Sequence, residues 1–355
     1  MILTLFLFPL YLTNRQGMSL PGAKIPSYLQ QSKNFFSLLT SKFKNPRVFN
    51  AITDLERRIK MNQNLQPKIK LNNGHLISQL GLGVWKASLA ETQQMVKEAI
   101  MNDYVLIDTA KQYGNEAAVG QGIQDGLIAT GRKRNSIFLT TKIFNGDQGD
   151  YDKLRQAVKA QLKRLQTDYV DLLLHWPVND KYNESWRALE DIYADGQAKS
   201  IGVCNFNVER MTDLLDHAKI KPAINQIEFN PLIHQPKIVK FCRENDIQLE
   251  AGSPLGNGRL LSNDVIKQIA DEHQKSPAQV ILRWEIQQDF VVLTKTTHPL
   301  RMQENAEIFD FTLSPDEMKQ IDKLDQEKHS IWYDKFKWSG NPDGVDDYIG
   351  KPGAF

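Results

Sequence analysis

The stretch VLIDTAKQYGNE, residues 105–116, begins as a short apolar run and then releases an Asp, a Lys and a Tyr ahead of a Gly-Asn turn. The run has the pattern of a buried strand. A strand that only fills a core has no need of Asp108 at its end. The same design recurs along the chain: LGLGV (80–84), VLID (105–108), IFLTT (137–141), VDLLL (170–174), SIGV (200–203), INQIEF (224–229), IQLEA (247–251) and FVVLT (290–294). Amphipathic helical stretches lie between these runs, at 92–101, 151–165, 185–194, 208–217, 236–244 and 276–286. Pro236 and Pro277 sit where a first-turn proline is tolerated.

Eight strands alternating with helices predict an α/β fold, a (β/α)8 TIM barrel. Strand count alone leaves a doubly wound sheet as the rival. Around Asn72-Asn73-Gly74 two short strands are expected as an N-terminal β-hairpin cap. No Pro/Gly/Ser linker divides residues 61–355, which are read as a single barrel domain.

The 355 residues are 41% hydrophobic and 24% charged, an ordinary globular composition. Net charge is +2, so there is no global signal for a nucleic-acid partner. The charge is uneven: residues 1–60 hold nine Lys/Arg and two Asp/Glu, the remainder 35 and 40. MILTLFLFPLYLT opens this basic segment; it is too short for a bilayer span of roughly 20 residues and lacks a preceding positive region. Three readings stand: a weak membrane or export signal, a basic tethering arm, or a poorly ordered N-terminal extension (1–60) upstream of a start at Met18 or Met61. No membrane association is expected for 61–355. Two cysteines, Cys204 and Cys242, form no disulfide framework or zinc pattern, which suits a reducing, cytoplasmic setting. No metal site is expected.

A barrel gathers its chemistry at the C-terminal ends of its strands. There the sequence places Trp85, Asp108 with Tyr113, Lys142, His175 with Trp176, Cys204 with Asn205, Gln226, Ser253, and Lys295 with Thr296. Each has a bland reading as a cap, a packed aromatic or a solvated charge. Together they compose a proton relay. A Tyr of ordinary pKa about 10 is a reluctant donor. A neighbouring Lys ammonium would lower that value, and a carboxylate would keep the Lys charged. His175 could orient a carbonyl beside the Tyr hydroxyl. GQGIQDG, residues 120–126, is spaced unlike a dinucleotide fingerprint and lies in an expected helix, so small-residue packing is preferred for it.

GLGVWK, IDTAKQYGNE, TTKI, LLLHWP, IGVCNF, NQIEFNP, SPLG and LTKTTHPLRMQEN, in that order from about residue 66 to 330, resemble the aldo-keto reductases, most of all bacterial diketogluconate and glyoxal-type reductases. The resemblance implies a barrel that binds NADPH without a Rossmann fold. It implies a catalytic tetrad of Asp108, Tyr113, Lys142 and His175, with Tyr113 the proton donor. It puts Asn205 and Gln226 on the nicotinamide carboxamide, with Cys204 where Ser is usual. Lys295, Thr296 and Arg301 fall on the 2′-phosphate, and Glu304 and Asn305 on the adenine. Gly83, Val84, Asp108, Ser253 and Leu255 complete the expected cofactor contacts. Trp85, Tyr113, His175 and Trp176 would face a small carbonyl substrate, and residues 328–355 would fold over the mouth. Gly252 stands where an aromatic usually stacks on the nicotinamide, and Thr294 where Pro is frequent. A monomer or weak dimer is expected. Two other functions fit the same residues: a lyase using Lys142 as a Schiff-base amine, and a non-catalytic, NADPH-sensing barrel.

Overall fold

In the computed structural model, which describes residues 66–178, 181–327 and 329, the strands form a closed parallel barrel and a separate hairpin. The hairpin is β1 (Lys68–Lys70) and β2 (Leu76–Ser78). The barrel is β3 (Leu80–Gly83), β4 (Leu106–Asp108), β5 (Phe138–Lys142), β6 (Leu172–His175), β7 (Ile201–Cys204), β8 (Ile224–Glu228), β9 (Gln248–Gly252) and β10 (Val291–Thr294). Each neighbours the next in sequence, and β10 closes on β3. The eight expected runs are these eight strands, and the doubly wound alternative is excluded.

Helices α1 (Leu89–Met101), α2 (Glu116–Thr130), α3 (Tyr151–Arg164), α4 (Tyr182–Ala194), α5 (Val208–His217), α6 (Pro236–Glu244), α7 (Asp264–His273), α8 (Pro277–Ile286), α9 (Pro299–Ala306) and α10 (Pro315–Asp322) follow the strands. Their starts are written locally. Ser88, Ser276 and Ser314 each make a capping box with Glu91, Gln279 and Glu317, which satisfies first-turn N–H groups otherwise left bare. Among the described residues, no helix is long and apolar enough to cross a membrane.

Strand alternation divides the barrel into two environments. Leu106, Leu172, Leu174, Cys204, Ile224, Val291 and Leu293 form one buried cluster in the interior. Leu80, Leu82, Ile107, Leu139, Leu173, Ile201, Val203, Leu249 and Val292 belong to a larger one, shared with the helices. Small residues make room for the interior leucines. A Cβ on Gly81 would lie 2.5 Å from Leu106 Cγ, and one on Gly202 would lie 2.8 Å from Leu174 Cδ2.

The hairpin contributes Leu71 and Ile77 to the interior cluster. Its turn is tied to the barrel by Asn72, which donates to the Pro222 carbonyl (2.8 Å), and by Asn73, which donates to Ser200 Oγ (2.9 Å). Both acceptors precede barrel strands, so the hairpin closes the end opposite the strand C-termini. The two expectations for residues 1–60 and for a covering segment at 328–355 fall outside the described residues, His329 excepted.

Glu285 on α8 is fully buried, and neither carboxylate oxygen has a hydrogen-bond partner. Burial pushes its carboxyl well above the ordinary value. An acid that holds its proton in the fold but loses it in the unfolded chain costs stability as pH rises above the unfolded value of 4.5. Glu285→Leu should therefore raise stability at pH 7 by about 2 kcal/mol, and much less at pH 4. Thermal unfolding of both proteins across that range checks it; a gap that is constant with pH would contradict it.

Candidate active site

The inward face of the upper barrel is polar. Asp108 ends β4 and Lys142 ends β5; both are buried. Lys142 Nζ donates to Asp108 Oδ1 and Oδ2 at 2.7 Å each, to the Thr109 carbonyl at 3.0 Å and to the Tyr113 hydroxyl at 3.3 Å.

Tyr113 closes the short 3-10 turn Lys111–Tyr113, and Gly114 follows at φ 68°, a left-handed conformation that favours glycine. The next residues fasten this turn to the barrel. Asn115 accepts from Thr109 Oγ1 (2.9 Å) and donates to the Val84 carbonyl (3.1 Å). Glu116 accepts from Thr141 Oγ1 (2.7 Å), Gln161 Nε2 (2.8 Å) and Arg164 Nε (2.8 Å). Thr141 directly precedes Lys142, so this buried cluster fixes the Tyr113 segment against the lysine's strand. Lys111 pairs with Asp147 above it.

The electrostatics differ in one respect from the sequence expectation. Burial works to lower the Lys142 pKa, but Asp108 and Tyr113 outweigh it, and the ammonium is held above its ordinary value. Burial also pushes Tyr113 up to about 12, against the pull of Lys142. The expected net lowering of Tyr113 is therefore not found, because desolvating a phenolate costs more than the lysine returns. Tyr113 is a firmly protonated donor. The ammonium of Lys142 has no lone pair to offer a carbonyl, which argues against Schiff-base chemistry.

A cavity of about 410 Å³ opens above this relay. Of the expected residues, Gly83, Trp85, Asp108, Tyr113, Trp176, Asn205, Gln226, Ser253, Leu255, Lys295 and Arg301 line it. Asn205 (φ 60°) and Ser253 (φ 55°) adopt left-handed backbone where β7 and β9 end, strained positions of the kind that collect at functional sites. Gly252 also lines the cavity; a Cβ there would meet nothing closer than the Ile227 carbonyl oxygen at 3.4 Å, so its absence widens the cavity.

Other expected residues are not among those lining it. Val84 and Cys204 are fully buried; the Cys204 thiol donates to the His175 carbonyl at 3.5 Å. Thr296 and Asn305 are buried. Thr296 Oγ1 accepts from the His298 N–H, and the Glu304 carbonyl accepts from Gln279. Sequence reasoning missed Lys86, Glu228, Asn257, Gly258 and Leu261, which do line the cavity. Glu228 was legible in principle: it falls two residues after Gln226 on the same strand and so on the same face.

His175 ends β6 and is buried; it is not among the residues lining the cavity. Leu172 and Leu174 belong to the interior cluster, and His175 follows them at the C-terminal end of β6. It is paired in register with Val203 of the outer cluster. Its ring lies 5.6 Å from that of Trp186 on α4 and 5.3 Å from that of Phe206. Nδ1 approaches Gln148 Oε1 at 3.5 Å, and Nε2 is buried without a partner. Burial pushes the imidazole down to about 3, so it is neutral. Trp176, the next residue, lines the cavity instead. Among the described residues, no cluster of His, Cys, Asp and Glu could hold a metal ion.

Comparison with known proteins agrees with this architecture. Residues 78–326 match the sequence model of the aldo/keto reductase family. Glyoxal reductase of Bacillus subtilis is 46% identical over 270 residues, covering 76% of this chain and 96% of that protein. Methylglyoxal reductase DkgA of Yersinia pestis is 40% identical over 266 residues, covering 74% and 94%. The crystal structure of an aldo/keto reductase from Brucella melitensis superposes with a TM-score of 0.70 at 45% identity, covering 73% of this chain and 99% of that one.

The placement of His175 has a direct consequence. With Nε2 unpartnered, His175→Phe should lower turnover of a carbonyl substrate such as methylglyoxal by roughly 10² or more, as loss of a group that orients the reacting carbonyl. His175→Ala should lower the melting temperature through lost packing. Steady-state kinetics and thermal unfolding of both variants check this; turnover of the Phe variant within threefold of the parent would contradict it.

Proposed function

The chain belongs to the aldo/keto reductase family, oxidoreductases acting on carbonyl groups, and from that premise we propose that it reduces small aldehydes and ketones to alcohols with NADPH. Dicarbonyl and keto-sugar-acid compounds are the proposed substrates, since glyoxal and methylglyoxal reductases are among its relatives. The observation that carries the reading is the single ammonium shared between two groups: Lys142 Nζ binds both oxygens of Asp108 and lies 3.3 Å from the Tyr113 hydroxyl.

The residues present fit the cofactor. Lys295 and Arg301 are among the residues lining the cavity, and charged donors of this kind favour a phosphomonoester, hence NADPH over NADH. Asn205, Gln226 and Ser253, also at the cavity, offer the amides and hydroxyl that a carboxamide needs. When bound, the reduced nicotinamide supplies a hydride to the carbonyl carbon.

Everything else falls to the protein. Tyr113 donates its proton to the carbonyl oxygen as negative charge develops there. Lys142 steadies the phenolate left behind, and Asp108 keeps Lys142 charged. Trp85 and Trp176 supply apolar walls that hold a small substrate and limit water. In this reading His175, neutral and with Nε2 left unpartnered by the protein, orients the carbonyl beside the Tyr113 hydroxyl. The neutral, buried thiols of Cys204 and Cys242 suit the proposed cytoplasmic setting, and a monomer or weak dimer is proposed.

The full-length protein, titrated with NADPH and then mixed with methylglyoxal, should oxidise the cofactor. Tyr113→Phe should bind NADPH within threefold of the parent but lose about 10³ in kcat. The double variant Lys295→Gln/Arg301→Gln should bind NADPH at least tenfold more weakly while NADH binding changes little, about 1.4 kcal/mol for each factor of ten. Tight NADPH binding without turnover on a panel of aldehydes would favour the cofactor-sensing reading; no binding would overturn the cofactor assignment.

A further inference from the structure

The barrel interior contains a second carboxyl that the proposed relay does not use. Glu250 lies on β9, paired in register with Gln226 on β8 and Val291 on β10. It is fully buried. Gln226 Nε2 donates to Glu250 Oε2 at 2.8 Å, and the same nitrogen lies 3.1 Å from Asp108 Oδ2. Glu250 Oε1 is buried without a partner. One amide group thus bridges two carboxyls.

The charges around Glu250 are few. Asp108 on β4 and Lys142 on β5 are the ionised neighbours; Tyr113, on the turn after β4, and Cys204 on β7 are titratable but neutral. On β8, Gln226 is the group in contact, while Glu228, buried two residues further along the same face, is a third carboxyl with His329 Nδ1 at 2.8 Å; β10 presents Val291 and Leu293. One ammonium therefore faces two buried carboxyls, and it is already committed to Asp108 through both oxygens. A second carboxylate with no cation of its own is costly to ionise. Burial, then the charge of Asp108, push Glu250 up to about 8, against Gln226 and Lys142. Its proton belongs on Oε1, since Oε2 accepts from Gln226.

Building on the carbonyl-reductase reading above, we infer that Glu250 is a positioning residue that works as a neutral acid, anchoring the Gln226 amide and leaving Lys142 to Asp108 and Tyr113. Two consequences follow. With Nε2 of Gln226 turned inward to two carboxyl oxygens, its Oε1 is the atom left to face the cavity, a fixed acceptor for an amide N–H. Ionisation of Glu250 places a second negative charge beside Asp108 and Lys142. That charge makes the Tyr113 proton harder to give up, so turnover falls as pH rises through the Glu250 transition.

The test compares full-length wild type with Glu250→Gln and Glu250→Leu. The glutamine keeps an acceptor for Gln226 and cannot ionise; the leucine removes both properties. Methylglyoxal reduction with NADPH is followed from pH 6 to 10, NADPH binding by fluorescence, and melting temperature across the same range. We expect Glu250→Leu to lose at least tenfold in kcat/KM at pH 7 with weaker NADPH binding. Glu250→Gln should restore kcat/KM to within threefold, and its alkaline limb should move up by a pH unit or more.

The melting temperature supplies a readout independent of turnover. Because Glu250 is protonated in the fold above its unfolded value, wild type should lose stability relative to Glu250→Gln as pH rises toward 8. A Glu250→Gln profile superimposable on that of wild type would overturn the inference, as would a glutamine variant as impaired as the leucine one. Failure of wild type itself to reduce any carbonyl would overturn the reductase reading and this role with it. The growing gap in melting temperature would then still show that Glu250 titrates.

Discussion

The structure turns on one buried ion pair. Asp108 and Lys142 sit on neighbouring strands, both nearly inaccessible to solvent, with the ammonium bound to both carboxylate oxygens. Two charges removed from water must satisfy each other closely or not be there. The geometry that lets them do so is the barrel itself. β4 and β5 pair in parallel with Asp108 opposite Thr140, which sets Lys142 two residues further up on the same inward face. The Glu116 cluster then locks the Tyr113 turn to that strand. A register slip of one residue in either strand would turn one charge outward and strand the other.

That dependence explains the layering of the interior. Below the pair, leucines and glycines interlock and exclude water; above it, amides and the cavity begin. The pair is the floor of the cavity, and its charges are the reason a polar group can be held there at all. The same economy governs Gln226, whose amide nitrogen spans Asp108 and Glu250, and Tyr113, which remains a neutral donor because desolvation outweighs its lysine.

Much of this was legible in the sequence. The eight apolar runs were strands, the hairpin turn lay at Asn72–Gly74, and Asp108, Tyr113 and Lys142 met as their strand-exit positions implied. What was not legible has physical causes. Glu250 was overlooked because IQLEA reads as one more apolar strand run, and only barrel closure shows that position to face inward. Net burial energies, such as the one that raises Tyr113, come from three-dimensional enclosure and leave no trace in residue order. Helices α7, α9 and α10 were not among the stretches named; α9 and α10 are only eight residues each and open on Pro299 and Pro315, while α7 is marked locally by its Asn263 cap.

The account's central claim is that the buried Asp108–Lys142 pair enables Tyr113 to serve as the acid. The most direct measurement is single-turnover oxidation of bound NADPH by methylglyoxal in Lys142→Met, with NADPH affinity measured on the same preparation as a check on the fold. The account predicts a rate lower by about 10³ with affinity within threefold of the parent. A rate within tenfold of the parent, with the cofactor still bound, would contradict it.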